Sequence, residues 1–306
     1  MRTSFIAALF FLGSSVASIA ADENRFAVVG YLPEYQIRSV QAEHLKPVTD
    51  LIYFGIHPPA DGHLARTPVT DEALAKLKQI QHIASCRLFL CVGGWNKSQG
   101  FATLTKNRQT RTRFIMGLRD YCKRAGFDGI DYDWEHPKNA DEIANYQRLL
   151  VETKSTFADA KLWVTVAQAA WQDLGAAGYR AVDRVHLMSY DHDYPQATLS
   201  KSTADVNRVL GWGCPANKIA MGIPFYGRNK NRQAKTYSEL IADRKYDASV
   251  DIFSGYAGNG SATVVAKLHF AERRKLGGIM IWELGQDSSR PESSLLQALD
   301  RNLKSP

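Results

Sequence analysis

A chain of 306 residues that is 45% hydrophobic, 23% charged and 10% aromatic has the composition of a folded protein, which excludes a disordered or collagen-like polymer. Its 38 basic and 31 acidic side chains leave a formal charge of +7, a mild and scattered excess. The tightest basic run, Arg273-Arg274-Lys275, reads as a solvated helix face, so no nucleic-acid partner is expected.

From the N-terminus, Met1-Arg2 is a charged start, Phe5 to Leu12 an apolar run, and Ser18-Ile19-Ala20 a small-residue end. This is the order of a secretory signal peptide over residues 1–20, with cleavage after Ala20 or Ala21. Residues 21–306 are then expected to be one exported catalytic domain, extracellular or periplasmic. No later run approaches ~20 apolar residues, so no membrane anchor is expected either.

Eight apolar runs follow: Phe26–Leu32, Leu51–His57, Arg87–Val92, Gly129–Asp133, Leu162–Ala167, Arg184–Tyr190, Ile219–Phe225 and Gly278–Trp282. Most are continuous rather than alternating, as strands buried on both faces are. The stretches between them carry helix signals, such as Thr70 ahead of Ala73, Leu74, Leu77 and Ile80, and Asp141 ahead of Ile143, Tyr146, Leu149 and Leu150. Eight strand–helix units predict an α/β fold closed as a (β/α)8 TIM barrel with its site at the strand C-termini; an open doubly wound sheet is the competing architecture. Between Arg228 and Ser261 the sequence turns polar, with Tyr237–Ile241 its one helical piece, and this is expected to be a short loop insertion after the seventh strand.

Cys86, Cys91, Cys122 and Cys214 allow three full pairings in an oxidising compartment, and sequence does not select among them. Cys86 precedes the third strand and Cys122 the fourth, which makes them the pair expected to meet at the lower rim. Without paired CxxC elements no zinc site is predicted, and no metal or other cofactor is expected.

The fourth run, Asp128-Gly-Ile-Asp-Tyr-Asp-Trp-Glu135, carries the strongest chemical signal. Strand side chains alternate faces, so Asp131, Asp133 and Glu135 enter the barrel while Ile130, Tyr132 and Trp134 meet the helices. Three stacked carboxylates in a low-dielectric interior cannot all ionise cheaply, so protons are held among them. Glu135, nearest the open end, is the candidate general acid, and Asp133 shares a proton or orients a substrate group. Asp128 faces elsewhere and reads as structural. Two rivals are a salt-bridge network with buried Lys or Arg, and a divalent cation on the acids as in a phosphodiesterase.

This stretch resembles the DxxDxDxE signature of glycoside hydrolase family 18, the chitinase family. Gly30-Tyr31, Gly93-Gly94-Trp95, Met188-Ser189-Tyr190-Asp191, Gly222 to Arg228 and Gly277 to Glu283 resemble the family's elements on successive strands, so the resemblance covers nearly the whole mature chain. It implies retaining hydrolysis of β-1,4-linked N-acetylglucosamine polymers with the substrate's acetamide as nucleophile. Glu135 would be the acid and base. Asp133 would bind the acetamide N–H with Asp131 as its proton-sharing partner, and Tyr190 the acetamide oxygen. Asp191, Trp282, Trp95, Tyr31, Met188 and Tyr226 would bind the sugar, with Trp282 as the floor. Direct attack by Asp133 stays open on spacing alone.

Of the other aromatic residues, Trp171 reads equally as sugar platform or core, whereas Trp134, Trp163 and Trp212 read as packing. His136 and His192 read as supporting hydrogen-bond partners or solvated loop positions. Two departures stand out. Cys91 occupies the place of the family's usual serine, weakening a hydrogen bond to the acidic strand. Only 32 residues separate Arg228 from Ser261, where many members carry a larger α+β insertion, so an open cleft and endo action are expected. The expected partner is an N-acetylglucosamine polysaccharide or oligosaccharide bound by a monomer. Peptidoglycan or N-glycan cores as substrate, and a non-catalytic lectin, are the alternatives; the lectins usually lack the terminal Glu that this chain retains.

Overall fold

Strands covered on both faces need mostly apolar side chains, and the eight long strands have them, apart from a few polar residues that enter the barrel: Ala27–Pro33, Asp50–Ile56, Arg87–Gly93, Gly129–Asp133, Trp163–Ala169, Arg184–Met188, Ile219–Pro224 and Gly278–Trp282. In this computed structural model, which describes residues 25–242 and 247–303, each strand pairs in parallel with its sequence neighbours. The first returns to the eighth through Ala27↔Gly278 to Gly30↔Ile281, closing the barrel and removing the open-sheet alternative. The signal peptide expected over residues 1–20 lies outside the described residues.

Alternation divides the apolar residues into two cores. Ile130, Tyr132, Val164, Val166 and Leu187 meet the surrounding helices. Val29, Tyr31, Ile52, Phe89, Ala220 and Met280 fill the barrel. The helices start where their caps dictate: Thr70 accepts from the Ala73 N–H ahead of Asp71–Ala84. Asn139 accepts from the Glu142 N–H, so the helix Ala140–Phe157 begins before Asp141.

At the barrel floor Asp50, fully buried, receives Arg87 at 2.6 Å and Arg184 at 3.1 Å. Both guanidiniums lie over the Trp163 ring, at 3.8 and 5.4 Å from its centroid. Burial alone would raise the Asp50 carboxyl; the two guanidiniums outweigh it and hold it below its ordinary value. Stability from this carboxylate is therefore present above the unfolded-state pKa and lost as pH falls through the lowered folded-state one. Asp50→Ala strands the buried Arg184 and the partly buried Arg87 and is expected to cost about 3–5 kcal/mol in chemical denaturation. Wild-type stability in that variant would mean that water, not Asp50, solvates the arginines.

After the seventh strand the structure is more ordered than the loop expected there. Four short strands, in the order Ile252–Phe253, Tyr256–Ala257, Tyr226–Arg228 and Ala234–Thr236, form an antiparallel sheet. Helix Tyr237–Ile241 follows, held by a reciprocal Thr236–Glu239 capping box. Strands of two or three residues are too short for periodicity to reveal. A second correction concerns the cysteines: all four are free and buried, and the expected Cys86–Cys122 bridge is not formed. The Cys122 thiol instead turns to the Gly129 carbonyl, 3.9 Å away. Among the described residues no helix is long and apolar enough to cross a membrane.

Candidate active site

Asp131 and Asp133 point into the barrel with 0% and 2% exposure, and Trp134 turns outward to stack on Phe101 at 5.1 Å. The fourth strand ends at Asp133, so Glu135 continues the acid column from the exit loop, its side chain 14% exposed. That loop is fixed by the third strand's exit. Gly93 and Gly94 are left-handed, at φ 98° and 104°, and the Gly94 N–H donates to the Asp133 carbonyl at 2.6 Å. A Cβ on Gly93 would lie 2.1 Å from that carbonyl oxygen, which only glycine permits. Ser98 Oγ completes the clamp, accepting from the Glu135 N–H and lying 3.0 Å from the Asp133 carbonyl. Sequence reasoning missed Ser98, whose one signal is its place four residues beyond Gly94.

Below the column, Tyr31 and Thr165 donate to the two Asp131 oxygens at 2.7 Å each. His186 Nδ1 lies 3.1 Å from Oδ1. The Cys91 thiol, paired in register with Asp131, is also hydrogen-bonded to it; burial, then the Asp131 and Asp133 charges, push this thiol well above its ordinary pKa. The serine replacement thus leaves a weaker donor in place. Among the ion pairs of the described residues none joins Lys or Arg to Asp131, Asp133 or Glu135, which removes the salt-bridge rival. Nor do three His, Cys, Asp or Glu side chains gather there as metal ligands.

Burial, reinforced by Glu135 and Asp131, lifts the Asp133 carboxyl well above its ordinary range. Burial and the Asp191 charge push Glu135 up to about 7, against a hydrogen bond from the Trp95 backbone. At neutral pH the column therefore holds protons, with its outermost carboxyl poised to give one up. His136 Nε2 is 3.6 Å from Glu135, and burial depresses its pKa. Asp128 is structural, accepting from the Leu88 N–H at 2.7 Å.

The other predicted residues surround a cavity of about 850 Å³ above these acids. Met188 lines its wall and Trp282 forms its floor, braced edge-on by Phe54 at 4.9 Å. Tyr190 donates only a weak bond, to Met280 Sδ at 3.9 Å, which leaves its hydroxyl ready for a better acceptor. Asp191 is held by Tyr226 at 2.7 Å and by both arms of Arg228, at 2.5 and 3.0 Å. Tyr226 thus meets the site through Asp191. Tyr31 reaches the cavity by its ring, but its hydroxyl is committed to Asp131. Trp95 and Trp171 stand at the mouth, 68% and 63% exposed.

His192 donates from Nε2 to Asp205 at 2.7 Å, because its Nδ1 accepts from the Ala197 N–H. Asp205 also receives Ser189 and Arg208, bracing the sixth-strand exit from behind. Neither Asp205 nor His186 carried a sequence signal, since each lies in a run otherwise readable as packing. The assembled site offers a proton donor, a proton-sharing pair, a weakly engaged phenol and flat aromatic faces around a volume fit for sugar rings.

The family model described as Glycosyl hydrolases family 18 matches residues 27–287. "Probable chitinase 2" of Drosophila melanogaster is 25% identical over 272 residues, covering 66% of this chain and 56% of its own. "Chitinase 1" of Aphanocladium album is 26% identical over 282 residues, covering 72% and 66%. The chain therefore spans about half to two thirds of the length of these curated relatives. Among solved structures, a family 18 chitinase from Flavobacterium johnsoniae superposes with a TM-score of 0.81 at 23% identity, over 91% of this chain and 94% of that one. A Cycas revoluta chitinase solved with (GlcNAc)4 does so with a TM-score of 0.76 at 20% identity, over 90% and 99%.

Proposed function

Because this chain belongs to glycosyl hydrolases family 18, we propose that it is an exported endo-acting hydrolase of β-1,4-linked N-acetylglucosamine chains such as chitin and its oligosaccharides. The observation that carries this reading is the inward column Asp131–Asp133–Glu135, with its outermost carboxyl protonated to about pH 7 beneath an open cavity. Glu135 donates its proton to the glycosidic oxygen as the bond to C1 breaks. The acetamide oxygen of the same sugar closes onto C1, giving a cyclic oxazolinium ion. Asp133 accepts the acetamide N–H, and the negative charge left on the Asp131–Asp133–Glu135 column once Glu135 has given up its proton balances the positive charge, while the Tyr190 hydroxyl binds the acetamide oxygen. Water, deprotonated by Glu135, then opens the ring from the face the leaving group vacated, so configuration is retained.

The burial of Asp133 favours this route over direct carboxylate attack. Burial and two acidic neighbours raise its pKa well above the ordinary range, which disfavours the anion that a carboxylate nucleophile must be. Trp282 supplies the apolar floor; Trp95 and Trp171 extend the aromatic surface along the cleft, as an open groove for long chains requires. Retention of Glu135 favours an enzyme over a lectin.

Mass spectrometry of products from chitin oligomers, peptidoglycan fragments and a high-mannose glycopeptide, offered in parallel, tests the substrate. Mixed-length products from the chitin oligomers are expected. Cleavage confined to either other substrate would overturn the assignment, and disaccharide as the sole early product would overturn endo action.

A further inference from the structure

In the sixth strand, alternation turns His186, Met188 and Tyr190 inward, and the His186 ring reaches Asp131. His186 is fully buried. Its Nδ1 lies 3.1 Å from Asp131 Oδ1 and 2.9 Å from the Tyr31 hydroxyl. Tyr31 spends its hydrogen on Asp131 Oδ2 and Thr165 spends its own on Oδ1, so both oxygens facing Nδ1 act as acceptors. A lone pair at Nδ1 would face two more lone pairs, whereas a hydrogen there satisfies both. Nε2 meets no polar group among the described residues, so the ring has no competing commitment.

We propose that His186 is a positioning residue of the acid column: its Nδ1–H, set against the Tyr31 hydroxyl and Asp131 Oδ1, joins the Tyr31, Thr165 and Cys91 donors around Asp131 and confines the shared proton to Asp133 and Glu135. The inference rests on the hydrolase reading for its purpose, although not for its geometry. A substrate-assisted route needs the proton on the upper carboxyls, where the acetamide and the glycosidic oxygen meet it. An Asp131 free to take that proton would leave Asp133 and Glu135 repelling each other.

The titratable and charged groups around the ring support one direction. Tyr31 on the first strand, Cys91 on the third and Asp131 and Asp133 on the fourth form the acidic side, with Tyr190 above on the sixth. Arg184, two residues below, is spent on Asp50, which also holds Arg87. The register partners of His186, Ala167 on the fifth strand and Ala220 on the seventh, are apolar, as is Met280 on the eighth. His186 is therefore the one nitrogen donor to Asp131 among the described residues.

The wild-type protein with 15N-labelled histidine tests this without a variant: a His186 resonance with hydrogen on Nδ1 and a bare Nε2 is expected, and the opposite tautomer would overturn the proposal. Carboxyl 13C titration then compares wild type with His186→Leu and His186→Asn. The leucine variant, lacking the donor, should raise the lowest apparent pKa of the column by roughly one unit. The acid limb of kcat/KM on a chito-oligosaccharide should move up with it. The asparagine variant, which keeps an N–H, should stay close to wild type. A folded leucine variant with unchanged carboxyl titration would also overturn the proposal. Both resonance measurements read the column whether or not any sugar is cleaved, so failure of the hydrolase reading would be seen separately, as absent turnover in the wild type.

Discussion

Glu135→Gln is expected to lower turnover of chito-oligosaccharides by about a thousandfold or more while leaving their binding within a few-fold of wild type. The carboxamide has the shape of the acid and can keep its place above Ser98 and beside Trp95, but it has no proton to give to a glycosidic oxygen and no basic oxygen to take one from water. Positioned proton transfer is worth roughly 10²–10⁴-fold. Here one residue serves both steps, which places the loss toward the upper end. The same change removes the leading acidic neighbour of Asp133, so the Asp133 carboxyl should ionise more readily. Single-turnover kinetics with calorimetric binding separates the effects. Retained turnover in this variant would assign the proton donor elsewhere, whereas lost binding with the fold intact would mean that Glu135 holds the sugar rather than reacting with it.

An oligosaccharide whose cleaved sugar bears a free amine in place of the N-acetyl group should lose turnover by at least about 10⁴-fold, because it lacks the internal nucleophile. A well-oriented internal group acts at effective molarities of about 10⁵–10⁸ M. The protein has little to replace it with: Asp133 is 2% exposed, with a pKa that burial raises well above its ordinary range, and Asp131 lies one layer deeper behind the Tyr31, Thr165 and Cys91 hydrogen bonds. Comparable rates on the acetylated and de-acetylated chains would return Asp133 to the role of nucleophile.

Most of the architecture could be read from the chain because its signals are periodic. Continuous runs such as Arg87–Gly93 and Ile219–Pro224 can be satisfied only by a sheet covered on both sides, and eight of them in series leave closure as the economical solution. The acid column was legible for the same reason: alternation fixes the faces of Asp131 and Asp133 before any contact is known. Features that depend on distant encounters were not legible. His186 meets Asp131 across a closed barrel, 55 residues apart in sequence. Ser98 becomes a clamp only once Gly93 and Gly94 turn the chain back over Asp133. The sheet formed by Tyr226–Arg228 with Ala234–Thr236 and Tyr256–Ala257 consists of strands too short to carry a period of two. The Cys86–Cys122 expectation placed both residues near the same rim but could not say which way each thiol turns.

The pH dependence of kcat/KM bears most directly on the claim that a crowded, buried column keeps its outermost carboxyl protonated for catalysis. Because burial raises the Glu135 pKa, its acid form persists from low pH up to about 7 and is lost above it. In the wild type such a column requires a basic limb that falls tenfold per pH unit from about pH 7. A rate already falling above pH 5, or one level to pH 9, would contradict it.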